Sequence, residues 1–133
     1  MAAGDLENNR ILISDTIPSG QALSSGITLN GYIPVGWFLP SGWTAATCSL
    51  QVSNDGVTWK DLQSSGSAIQ TFFTALTLFG YITLTALVNE SVINKLPNRI
   101  RIRSQTAGVD VNQLADRTFT YLLIPSVNRP WHG

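Results

Sequence analysis

Thr47-Cys48-Ser49-Leu50-Gln51-Val52-Ser53 runs into Asn54-Asp55-Gly56 and then Trp59-Lys60-Asp61-Leu62, and its first seven residues alternate strictly between polar and apolar. In an extended chain successive side chains point to opposite sides, so Cys48, Leu50 and Val52 share one face and Ser49 and Gln51 the other. Asn, Asp and Gly tolerate positive φ, so Asn54-Asp55-Gly56 predicts a tight hairpin with Trp59–Leu62 as the returning strand. A half-buried β-strand turning back on itself is the unit from which the rest is read.

The same period recurs in both directions. Downstream, Ile100 and Ile102 face inward while Arg101 and Arg103 face outward, and residues 118–124 place Phe119, Tyr121 and Leu123 on one side. Upstream, residues 10–14 and 26–30 read as short extended segments, with turns at 16–20 and 40–42. Tyr32–Leu39 reads as a long strand in which Pro34 requires an edge position or a bulge. Residues 72–84 are extended, Thr-rich and broken at Gly80; residues 89–96 suit one helical turn ended by Pro97. Residues 63–68 and 108–117 are polar connections. Short strands with regular turn signals and no amphipathic helix predict an all-β fold, an antiparallel β-sandwich or jelly roll in a single domain. Its expected limits are 10–124, with a flexible N-terminal arm at 1–9 and a C-terminal extension at 125–133. The pattern leaves strand order open.

Composition narrows the function. Only 12% of the 133 residues are charged, about half the ~25% of soluble domains. Eight basic and eight acidic residues cancel, so no long-range field draws the chain to nucleic acid or anionic lipid. A surface of Thr, Ser, Asn, Gln and apolar groups can be covered by another subunit with little desolvation cost. The expectation is therefore an assembled protein; the alternative is a monomer kept dispersed by its hydroxyl and amide side chains. Met1–Arg10 is polar and lacks an apolar signal core, from which export by that route is not expected. No apolar run reaches the ~18 residues of a membrane helix. Asn89-Glu90-Ser91 matches a glycosylation acceptor by chance.

Chemistry is sparse. Cys48, the one cysteine, excludes an intrachain disulfide and reads as a small buried hydrophobe. His132, the one histidine, lies next to the C-terminal residue, a poor place for a positioned base. One Cys and one His cannot supply a zinc site, and the scattered glycines form no phosphate loop. Asp55 and Asp61 flank one hairpin, as glycosidase carboxylates would, but Asp55 is explained by the turn. No catalytic role, metal or cofactor is expected. Arg99, Arg101 and Arg103 share a strand face and can take phosphates or carboxylates; pairing with Asp110 and Asp116 is the plainer use, or with a neighbour's Asp if the face is covered. Trp37 and Trp59 are expected in the core. Trp43 and Trp131 are expected at the surface, as partner anchors or as platforms for sugars.

Two blocks carry a resemblance: Gly31–Ala46 (GYIPVGWFLPSGWTAA) with Leu50–Leu62 (LQVSNDGVTWKDL), and Arg99–Thr106 (RIRIRSQT) with Val111–Thr118 (VNQLADRT). Together they resemble small β-rich structural proteins of tailed bacteriophage virions. The Ser-Asn-Asp-Gly-x-x-Trp hairpin alone is less specific, being similar to one in discoidin-like sugar-binding sandwiches. The resemblance implies a virion component without catalytic residues. Its leading form is a head-decoration (cement) protein, a homotrimer on the capsid exterior, assembled in the host cytoplasm and bound to the major capsid protein. The alternative is a tail, baseplate or neck component that binds host carbohydrate, and a third reading is a glycan-processing accessory domain. Arg10, Trp43, Arg101, Arg103, Arg129 and Trp131 are the expected partner-binding residues; no nucleic acid or membrane is expected.

Overall fold

The computed structural model describes residues 10–62, 71–74, 80–83 and 96–125. The arm at 1–9, the loop at 63–68, most of the expected helical turn and the extension after Pro125 fall outside the described residues, and with them Arg129, Trp131 and His132.

The described residues form β1 (Ile11–Ile17), β2 (Ile27–Thr28), β3 (Tyr32–Leu39), β4 (Thr47–Ser53), β5 (Lys60–Asp61), β6 (Thr71–Thr74), β7 (Gly80–Thr83), β8 (Arg99–Thr106), β9 (Val109–Asp110) and β10 (Arg117–Pro125). The first sheet runs β1-β10-β3-β7. The second runs β2-β8-β4-β5, with β6 also on β4 and β9 on β8. All pairs are antiparallel. Chain neighbours β1 to β4 alternate between sheets while the first and last strands pair, which is the jelly-roll order.

Period two builds the core. Ile17, Trp37, Phe119, Tyr121 and Leu123 from the first sheet meet Ile27, Cys48, Leu50, Ile100 and Ile102 from the second. Each large side chain fully removed from water contributes roughly 1.5–3 kcal/mol. Trp37 lies 6.0 Å from Tyr121 between ring centres. Pro34 is accommodated by a bulge: Leu122 opposes Gly36 and Leu123 opposes Pro34, leaving Val35 as the extra residue.

Four expectations change. The β4–β5 connection is wide rather than tight, because Val52 pairs with Lys60 and seven residues bridge them. Trp59 therefore lies outside the strand and is half-buried on the outer side of the second sheet rather than in the core. Trp43 is core, only 2% exposed, with Phe119 edge-on at 5.6 Å and Nε1 donating to the Ala46 carbonyl at 3.1 Å. Asp116 does not meet the arginine strand; it accepts from the Ser19 amide at 2.8 Å, and Asp61 takes the place expected for it beside Arg103.

The wide loop is closed by its own polar groups. Asp55 Oδ1 accepts from the Val57 and Thr58 amides, each at 2.8 Å, and from Ser53 Oγ at 3.0 Å. These bonds hold the Asp55 carboxyl below its ordinary value of 3.8, the Thr58 amide most strongly. A depressed folded pKa means that the stability is present above 3.8 and lost as pH falls through the folded value. Asp55→Ala is expected to lower the melting temperature at neutral pH, and the gap from the parent protein to close on acidification. A gap independent of pH would show that Asp55 acts through something other than its charge.

Candidate functional site

The two outer faces differ sharply in charge. On the first sheet the pleat sends Leu12, Ser14 and Thr16 of β1, Thr118, Thr120, Leu122 and Ile124 of β10, and Phe38 of β3 outward. Leu12 is 60% exposed, Phe38 47% and Tyr81 40%. Leu122 and Ile124 are half-buried beside them. The Phe38 and Tyr81 rings lie 4.6 Å apart, and Tyr81 rests over Gly36, where a Cβ would overlap its hydroxyl. The remaining polarity is hydroxyl only: Thr16 and Thr118 hydrogen-bond at 2.8 Å, Ser14 and Thr120 at 3.4 Å. No charged side chain projects from this face among the described residues of its strands. Other exposed apolar side chains (Val57, Val109, Leu114) stand on separate loops or strand ends, as is ordinary for single surface residues. Leu12 and Leu122 are register partners, as are Phe38 and Tyr81, so these side chains lie together on one sheet face.

The outer face of the second sheet carries the ion pairs. Arg103, only 9% exposed, donates from Nη1 to Asp61 Oδ2 at 2.9 Å, from Nε to Asp110 Oδ1 at 2.8 Å and from Nη2 to the Gly108 carbonyl at 2.8 Å. Burial weakens this cation, but the bonds to Asp110 and Asp61 more than offset it and raise its pKa. Gln51 continues the chain of contacts, donating to Asp61 at 3.0 Å and accepting from Arg101 Nε at 2.8 Å. The Arg101 guanidinium covers the Trp59 ring at 4.3 Å. Burial lowers its pKa, against the pull of Asp110, Asp15 and Asp61.

Of the expected contact residues, Trp43 is withdrawn into the core and Arg103 is engaged by its own chain. Arg101 is partly available, and Arg10 is exposed immediately before β1. The uncharged face formed by Leu12, Phe38 and Tyr81 was not expected residue by residue; alternation in 11–17 and 118–124 signalled its strands but not their adjacency. Among the described residues no group of three or more His, Cys, Asp or Glu could hold a metal ion. Cys48 is fully buried, and burial pushes its thiol well up. No family model, curated protein or solved structure matches the chain.

Proposed function

We propose that this chain is a non-catalytic structural protein that acts by adhesion, its first-sheet face packed against further copies of itself. The uncharged patch of Leu12, Leu122, Phe38 and Tyr81 carries this reading. Covering it removes apolar area from water and strands no charge, the composition of interfaces between identical subunits. The low overall charge supports it, and burial of Trp43 removes one ring on which a sugar platform was expected. The β1–β10 pairing sets the start of β1 and the end of β10 side by side, Ile11 opposite Leu123.

The finer reading follows the resemblance: a homotrimeric head-decoration protein on the exterior of a tailed-phage capsid, bridging major capsid subunits. Each added contact must break before the shell opens, so many weak contacts sum to a large stabilisation. The jelly roll suits this, being an architecture of capsid and lectin domains alike, although fold alone assigns no function.

Sedimentation over a wide concentration range tests the adhesive face. The parent chain is expected to sediment as an oligomer, and Leu12→Arg with Phe38→Arg as a folded monomer. A parent chain that is monomeric throughout overturns the proposal. For the finer reading, particles lacking the protein should rupture at lower temperature; an unchanged rupture temperature refutes it.

A further inference from the structure

Among the described residues, no carboxylate pairs with Arg99 or Arg101 of the second sheet, whereas Arg103 is engaged by Asp61 and Asp110. Among the described residues, the side chain of Arg99 makes one bond, a long one from Nη1 to Thr28 Oγ1 at 3.5 Å, and its Nε is buried without an acceptor. The guanidinium keeps donor capacity that no carboxylate among the described residues fills. Arg99 and Arg101, two apart on β8, project from the same side of the sheet.

Arg99 and Trp59 line a cleft of about 90 Å³ with Ser25, Thr28, Gly26 and Gly56. Two glycines at positive φ keep it open. A Cβ on Gly26 would sit 3.0 Å from the Trp59 ring edge, and one on Gly56 3.2 Å from Arg99 Cδ. A space of that size admits one small anionic group.

We infer that this cleft is a carboxylate-binding subsite, filled by an Asp or Glu side chain of a protein neighbour. A guanidinium presents a planar fork of donors matched to a carboxylate, and Arg and Trp together are the residue types that dominate binding at protein interfaces. The chain's zero net charge offers no field for a polyphosphate. That the carboxylate belongs to a protein rests on the adhesive reading above; that the cleft takes a carboxylate does not.

N-acetyl-L-aspartate titrated into the intact protein at constant ionic strength, followed by the NMR resonance of the Trp59 indole N–H, tests the subsite. A saturable shift is expected, with affinity reduced about tenfold in Arg99→Gln, the scale of a lost charge-assisted bond. Arg99→Lys keeps the charge but not the fork and should fall between; Lys60→Gln, which removes an exposed cation elsewhere on the same sheet, should not change affinity. A shift that does not saturate, or equal loss in Lys60→Gln, overturns the subsite. Glucuronate or inorganic phosphate binding about tenfold more tightly than acetyl-aspartate overturns its assignment to a protein carboxylate. The Leu12 and Phe38 face lies on the other sheet, so a parent chain that is monomeric yet binds acetyl-aspartate sinks the adhesive reading alone, and an oligomeric parent chain that does not bind sinks the subsite alone.

Discussion

Asp15→Ala is expected to destabilise the sandwich by about 3 kcal/mol, enough to lower the melting temperature by roughly 10 °C. Asp15 is the polar exception on the inward face of β1, 4% exposed. Its Oδ2 accepts from Ser24 Oγ at 2.6 Å and from the Tyr121 hydroxyl at 2.9 Å, and its Oδ1 from the Gly26 amide at 2.8 Å. Ser24 in turn accepts from the Ile102 amide at 2.8 Å, so one carboxylate ties the β1–β2 connection to a strand in each sheet. Alanine leaves three buried or half-buried donors without an acceptor, which costs more than the bonds themselves contribute.

The pH dependence at Asp15 runs opposite to that at Asp55. Burial raises the Asp15 carboxyl above 3.8, against the bonds from Ser24, Gly26 and Tyr121. A raised folded pKa means that its contribution is full below 3.8 and declines as pH rises through the folded value. The stability gap between the parent protein and Asp15→Ala should therefore widen on acidification. Denaturant titrations of both proteins at several pH values measure it; a gap that narrows would show the ionised form to be the one the fold favours.

Local chemistry makes faces legible and leaves neighbours hidden. Cys48, Leu50, Ile100, Ile102, Phe119, Tyr121 and Leu123 can be placed inside from alternation alone, because a one-residue slip would expose the whole set. Strand order has no local signature: Ile11 pairs with Leu123, and nothing in either segment names the other. The uncharged face is visible in the sequence only as a low charge count, since gathering Leu12, Leu122 and Phe38 requires the β1-β10-β3 order. Trp43 reads as exposed because it follows a Pro-Ser-Gly turn. Yet the loop folds inward and is fastened by a residue 69 positions away. Trp59 reads as core because an Asn-Asp-Gly turn usually closes within two residues, whereas here Asp55 stabilises a longer loop and sets the ring outside.

The fastening residue is Gln113, which reads in the sequence as part of a polar connection and is fully buried. Its side-chain amide copies a strand partner: Oε1 accepts from the Thr44 amide at 2.8 Å while Nε2 donates to the Thr44 carbonyl at 3.0 Å. The spare capacity is filled as well, by Ser104 Oγ at 2.9 Å and Arg117 Nε at 3.1 Å. Gln113→Leu is expected to cost about 2–3 kcal/mol, since it keeps the volume and orphans both backbone groups of Thr44. The loss should also release Trp43, seen as a red-shifted tryptophan emission before global unfolding. Gln113→Glu separates geometry from hydrogen bonding. At neutral pH it sets a buried carboxylate oxygen against the Thr44 carbonyl, eased only by Arg117. Burial would raise that carboxyl's pKa, so stability should return as pH falls and the protonated acid donates where the amide did. A Glu variant as stable as the parent at neutral pH would mean that the loop holds Trp43 without this clasp.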